Sequence, residues 1–291
     1  MTVTEARSAL RQRKISCLEL TGQCLAAIAR LNPDLNAFLT VTEESARARA
    51  KALDAELAAG KDRGPLHGIP IAHKDLIDTR GVRTTSGSKL FANRFADRDA
   101  AVVRLLDEAG TVLVGKTGLH ELAYGVTSEN PHFGVIRNPH DRERVPGGSS
   151  GGAGVALATG MCLLATGTDT GGSIRIPASY CGVAGLKPTY GIVDRTGVRP
   201  LGLTLDHLGP MAGHAEDLLP FLDTMAPQRK RIALPEKIRV GIPKNYYFDQ
   251  VDQEIKAAVY QCAGALNGTS IEVEVPDIEG LNAAARAILL A

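Results

Sequence analysis

The sequence predicts an α/β protein with a parallel or mixed β-sheet core flanked by helices on both faces. Three observations carry that expectation. Helix-period segments precede short apolar strands four times: Arg98–Gly110 before Thr111–Thr117, Val155–Gly160 before Met161–Gly167, Ala215–Ala226 before Ile238–Pro243, and Asp252–Leu266 before Ile271–Pro276. Alternation of this kind places strands in one sheet with the helices packed against it. The 291 residues are 44% hydrophobic and only 22% charged, the composition of a soluble globular chain long enough to bury a large core. No run of 18 apolar residues interrupts the pattern, so no membrane span is expected.

The elements follow in order. The start, MTVTEARSALRQRKIS, lacks the apolar region of a signal peptide, and a cytoplasmic location follows by default. Ser16-Cys17-Leu18-Glu19 reads as a capping box, in which hydroxyl and carboxylate satisfy orphan N–H groups at a helix start. That helix carries Leu18, Leu25, Ile28 and Leu31 and is expected to end near Asn32-Pro33. Asn36–Val41 is a short strand, and Thr42–Ala59 a helix stopped by Gly60. Gly68–Asp75 reads as a buried strand running into a loop. Arg98–Gly110 is amphipathic, with Val102, Val103, Leu105 and Leu106 towards the core. Tyr124–Pro146 is a long irregular segment leading into a glycine knot, a type that is more often functional than idle. Ala226–Lys237 reads as an exposed connector too short to separate domains, so residues 1–291 are taken as one domain.

Charge and cysteines exclude several functions. With 33 Lys+Arg against 32 Asp+Glu and no charged block, neither a nucleic-acid nor a membrane surface is expected as partner. Cys17, Cys24, Cys162, Cys181 and Cys262 show no metal spacing and are expected as reduced core residues, with Cys17 and Cys24 on one helix face. Asn267-Gly268-Thr269 matches a glycosylation sequon that carries no weight without a secretion signal.

The chemistry concentrates in PGGSSGGAGVALATGMCLLATGTDTGGSIRIP, Pro146 to Pro177. A phosphate-binding reading fails, because no Lys follows the glycines and HDRERVP before them cannot be a buried strand. Gly147-Gly148-Ser149-Ser150-Gly151 satisfies G-x-S-x-G but lacks the preceding strand, and His207 and His214 read as structural histidines. Asp169-Thr170-Gly171 has no second copy to complete a carboxylate pair. A reading that uses both knots remains. Glycines before Ser173 let backbone N–H groups converge as an oxyanion hole beside a nucleophile. Lys74, at the end of a buried strand, can serve as base once burial lowers its affinity for a proton, with Ser149 available as a relay.

With these residues assembled, the chain resembles the amidase signature family of serine hydrolases. The resemblance runs from about Leu66 to Pro210 and rests on HGIPIAHKD, PGGSSGG, GTDTGGSIRIPASYCGVAGLKPTYG and LDHLGPMA in that order. It implies an amidase signature fold and an amide hydrolase that releases ammonia or an amine through an acyl-enzyme on Ser173. Lys74 would be the ultimate base and Ser149 the bridging serine, held by a cis peptide after Gly148. Thr170, Gly171, Gly172 and Ser173 would supply the oxyanion N–H groups, while Ser150, Asp169 and Arg175 would brace the loops. No metal or cofactor is implied. The partner would be a small-molecule amide, with homo-oligomerisation left open.

Within the family one branch is the glutaminase subunit of a tRNA-dependent amidotransferase, which works with partner subunits. The position after Arg175 is usually Gln in that branch and is Ile176 here, which favours a general amidase. Relatives usually continue beyond the point where this chain stops, so a fold incomplete at the C-terminus, with exposed apolar surface, is expected. An inactive fragment with a binding role is the third reading.

Overall fold

The computed structural model describes all residues except Arg231, Leu234, Asn267 and Ala291. The sequon at Asn267 and part of the Ala226–Lys237 connector therefore lie outside the described residues. The chain divides into two compact units, Met1–Arg229 and Lys230–Ala291.

The first unit contains α1 (Val3–Arg11), α2 (Cys17–Leu35), β1 (Phe38–Val41), α3 (Glu43–Ala58), β2 (Pro70–Lys74), α4 (Ala101–Glu108), β3 (Val112–Thr117), β4 (Glu129–Asn130), β5 (Gly134–Val135), α5 (Gly151–Ala158), β6 (Leu164–Asp169), α6 (Arg175–Cys181), β7 (Ala184–Gly185), β8 (His207–Ala212) and α7 (Leu218–Met225). Six strands form a mixed sheet in the order β1-β3-β2-β6-β8-β7. β3, β2 and β6 run parallel; β1 joins one side and β8 the other, both antiparallel. Every residue of β2 and of β6 is buried, as expected for central strands covered on both faces.

Both capping boxes at the N-terminus form: Thr2 with Glu5 opens α1, a helix not anticipated from the sequence, and Ser16 with Glu19 opens α2. α2 does not stop at Pro33 but carries it in its last turn and ends on Asn36, whose left-handed backbone (φ 54°) caps Asn32 O. In α4, Val102, Val103 and Leu106 are buried and Leu105 is half-buried. Cys17, Cys24, Cys162 and Cys181 are free and buried, whereas Cys262 is exposed, contrary to expectation.

The second unit holds β9 (Ile238–Pro243), α8 (Gln253–Ala265), β10 (Gly268–Val273) and α9 (Ile278–Leu290). β9 and β10 form their own parallel pair rather than joining the six-stranded sheet. Ile255, Leu266 and Leu281 are each at least half exposed in this unit. Among the described residues no helix is long and apolar enough to cross a membrane.

Candidate active site

The site lies where β2 and β6 end together. Ile71 pairs with Leu164 and His73 with Thr166, which sets Lys74 at the tip of β2 against Thr168 near the tip of β6. Carboxyl ends of parallel strands are where open α/β sheets place their ligands. α5 begins at Gly151, so Ser149 and Ser150 sit immediately before its N-terminus. The helix can approach the sheet because Gly152 lacks a side chain; a Cβ there would lie 2.6 Å from Gly118 O. Ser128 caps the helix from a distant loop, accepting from Gly151 N–H at 3.2 Å and donating to Gly147 O at 2.8 Å.

Lys74 Nζ lies 2.8 Å from Ser149 Oγ and 2.7 Å from Thr168 Oγ1. The side chain is fully buried, and both partners are hydroxyls. A hydroxyl can donate as well as accept, so this pair suits a neutral amine: Ser149 O–H can donate into the lone pair while an N–H donates to Thr168. Desolvation pulls the Lys74 ammonium down to about 7, partly opposed by the charges of Asp169 and Asp206. The Gly148–Ser149 peptide is cis.

A second buried lysine shows the contrast. Lys116, paired with His73 across β2–β3, bonds Ile77 O at 2.6 Å and Thr84 Oγ1 at 2.8 Å and faces Asp75 Oδ1 at 3.9 Å. Burial lowers this ammonium as well, to about 8, but the carbonyl and the Asp75 charge, which can only accept, oppose the loss of its proton.

Ser173 sits between β6 and α6 and is 6% exposed. Its carbonyl accepts Ser150 N–H at 3.2 Å, which ties the two glycine knots together. Its hydroxyl has no protein partner among the described residues. Asp169 organises the loop around it. The Asp169 carboxylate takes Gly172 N–H at 2.8 Å, Ile174 N–H at 3.2 Å, and the Arg175 guanidinium at 2.9 and 3.0 Å. Burial alone would raise this carboxyl; Arg175 and the backbone donors outweigh it and hold it below its ordinary value. Ser150 Oγ bridges to the β6 end, donating to Thr168 O at 3.2 Å and accepting Thr168 N–H at 3.3 Å.

The expected oxyanion donors differ in what they bond. Gly172 N–H donates to Asp169 Oδ1 at 2.8 Å. Gly172 is also needed for the turn, with φ 129° and Ile176 Cδ1 only 2.8 Å from where a Cβ would sit. The N–H groups of Thr170, Gly171 and Ser173 donate to no group among the described residues.

Sequence reasoning assigned no role to Thr168 or Asp206, although both lie inside quoted motifs. Asp206 accepts Thr170 Oγ1–H at 2.6 Å, Leu201 N–H at 2.8 Å and Gly202 N–H at 3.0 Å. It helps line a cavity of about 340 Å³ shared by Thr168, Thr170, Arg199, Leu201 and Leu208. His207 is near the site, but its ring nitrogens lie against Leu205 O, Asp169 O and Lys187 Nζ, not against a serine.

Comparison with known proteins bears on this geometry. The family model described as Amidase matches residues 19–291. A glutamyl-tRNA(Gln) amidotransferase subunit from Coxiella burnetii is 42% identical over 94% of this chain, which spans 61% of that relative's length. Among solved structures, a chain from a vestigial protein complex linked to the evolutionary origins of an s-triazine catabolic enzyme superposes with TM-score 0.93 at 38% identity, covering 99% of this chain and 67% of that one. The peptide amidase of Stenotrophomonas maltophilia follows at TM-score 0.90 and 31% identity, covering 100% and 65%. A family match that runs through both units, together with a fold shared almost throughout the chain, places this protein in the Amidase family, the amidase signature enzymes.

Proposed function

We propose that this chain hydrolyses carboxamides through an acyl-enzyme on Ser173, with Ser149 and Lys74 as the proton relay. The observation that carries the reading is the buried contact of Lys74 Nζ with Ser149 Oγ at 2.8 Å, in surroundings that favour a neutral amine. Ser173 Oγ attacks the carbonyl carbon; its proton passes to Ser149, and the Ser149 proton to the Lys74 lone pair. The oxyanion is held by the N–H groups of Thr170, Gly171 and Ser173. Collapse breaks the C–N bond as the proton returns through Ser149 to the leaving nitrogen, releasing ammonia or an amine. Water then attacks the ester by the same relay, restoring Ser173 and freeing the acid. Asp169, Ser150 and Arg175 hold the loops in place, and residues 1–291 act as one amidase signature domain.

A second reading, the glutaminase subunit of a tRNA-dependent amidotransferase, is favoured by the 42% identity to a subunit of such an enzyme. We prefer the general amidase because Ile176 replaces a polar residue beside Arg175, packing its side chain towards Gly172. Intact mass after treatment with a fluorophosphonate tests the core of both. A single adduct absent from Ser173→Ala is expected; labelling that persists in the variant would sink the assignment. Ammonia release from simple amides without added subunits, compared with release from glutamine, then separates the two readings.

A further inference from the structure

The cavity beside Thr168 and Thr170 contains several charged side chains, and all but one are committed. Asp206 spends both oxygens on Thr170, Leu201 and Gly202. Asp194 accepts Thr196 N–H at 2.8 Å. Arg195 is held by Leu203 O at 2.9 Å, Asp206 O at 3.0 Å and the Tyr190 hydroxyl at 2.9 Å. Arg199 is different. Its backbone N–H donates to Leu76 O at 3.0 Å, two residues beyond Lys74. Its Nε donates to Ser86 Oγ at 3.0 Å, and its guanidinium carbon lies 4.0 Å from the Phe91 ring centroid. Its two terminal nitrogens have no acceptor and no carboxylate partner among the described residues, yet Arg199 lines the cavity. The guanidinium is thus fixed on one edge and one face, with its paired N–H groups left over. That is the form in which arginine takes a carboxylate by two parallel hydrogen bonds.

We infer that Arg199 selects amides carrying a carboxylate on the acyl side, a few bonds from the scissile carbonyl. The inference deepens the hydrolase reading and rests on it for the identity of the ligand as substrate. The cavity connects the two ends of such a molecule. Thr168 touches the proposed base and Thr170 offers an oxyanion N–H, while Arg199 stands in the same wall system. The remaining lining at Val198, Leu201 and Leu208 is apolar and would take the intervening methylenes.

The probes are succinamate and 4-methylpentanamide, which has an isopropyl group in place of the carboxylate. Wild-type protein should favour succinamate in kcat/KM, and Arg199→Met should lower that preference by about 10- to 100-fold, the usual worth of hydrogen bonds to a charged group. Calorimetric binding of succinate, the product, gives a readout that needs no turnover. Binding should weaken by a similar factor in Arg199→Met and partly survive in Arg199→Lys. Ser86→Ala removes the Nε partner but leaves the charge, the Phe91 face contact and both terminal N–H groups, and should keep succinate affinity within about threefold. Equal succinate binding by wild type and Arg199→Met overturns the proposal, as does a loss in Ser86→Ala matching that in Arg199→Met, which would reduce Arg199 to a loop clamp. Failure of fluorophosphonate labelling with succinate binding intact would instead count against the hydrolase reading alone.

Discussion

The buried lysine makes a quantitative prediction about pH. If neutral Lys74 accepts the proton from Ser149, the rate at which a fluorophosphonate phosphonylates Ser173, with loss of fluoride, follows the neutral fraction of that amine. With desolvation holding its pKa at about 7, the neutral fraction is about 9% at pH 6, about 50% at pH 7 and about 99% at pH 9. Labelling should therefore rise about tenfold from pH 6 to pH 9 and flatten above about pH 8.5. An amine with an ordinary affinity for protons would give about tenfold per pH unit over that whole range, roughly a thousandfold in all. Stopped labelling followed by intact mass measures the curve, with Lys74→Ala as control. The variant should retain only a slow, pH-insensitive rate. The sign of the stability effect is fixed by the same shift. Because the folded-state pKa lies below that of the unfolded lysine, the unfolded chain holds more protons between about pH 7 and 10.5, and stability rises with pH across that window. A labelling rate that climbs log-linearly through pH 9, or a midpoint unchanged in Lys74→Ala, would refute the role given to Lys74.

Two further substitutions test the scaffold around the site. Gly152→Ala places a methyl group against backbone at Ala37 and Gly118 and should destabilise the protein by about 1–3 kcal/mol or more, whereas Gly213→Ala meets nothing within 4 Å and should melt like wild type; equal melting temperatures would show that α5 has room to shift. Lys116→Met removes the cation that faces Asp75 Oδ1, an oxygen with no hydrogen bond of its own, in a fully buried position, and should cost about 3–5 kcal/mol in denaturant unfolding; a variant as stable as wild type would mean that Asp75 is neutral in the fold.

Local signals were legible in the sequence and non-local ones were not. Ser16 and Glu19 announce their capping box within four residues, and the box forms. Lys74, Ser149 and Ser173 stand out by motifs in order, and the structure brings the first two into contact and ties the third in through Ser150. The strand before Ser173 is expected at Met161–Gly167 but lies at Leu164–Asp169, because pairing with β2 and β8 sets its limits, not its run of apolar residues. β8 escapes a sequence reading for the same reason: HLGPMA includes a glycine and a proline, weak strand formers, and is a strand by virtue of six pairings along β6. Pro33 misleads in the other direction, since only the final turn of α2 has to tolerate it. Which loop N–H groups remain free is unreadable in principle. It depends on where the Asp169 carboxylate points, and that is set by Arg175 and the fold around it.

The arrangement follows from one strand end. Successive strand residues face opposite sides, and the last two residues of β6 with the residue after them use both. Thr168 and Thr170 face the cavity, one against Lys74 and the other against Asp206. Asp169 between them faces away, buried, and gathers Arg175 with the N–H groups of the Ser173 loop. The Lys74 contact, the Ser173 loop and the cavity thus all meet residues 168–170, at the end of a strand inside a six-stranded sheet, and a site on such an element is positioned more tightly than one on free loops. The antiparallel neighbour completes it. Because β8 runs opposite to β6, its first residue, His207, pairs with Asp169, so the segment entering β8 must pass the site. Asp206 and the Arg199 turn reach the cavity for that reason, although they lie far along the chain from Lys74. A parallel strand in the β8 position would present its other end there and leave the cavity without that wall.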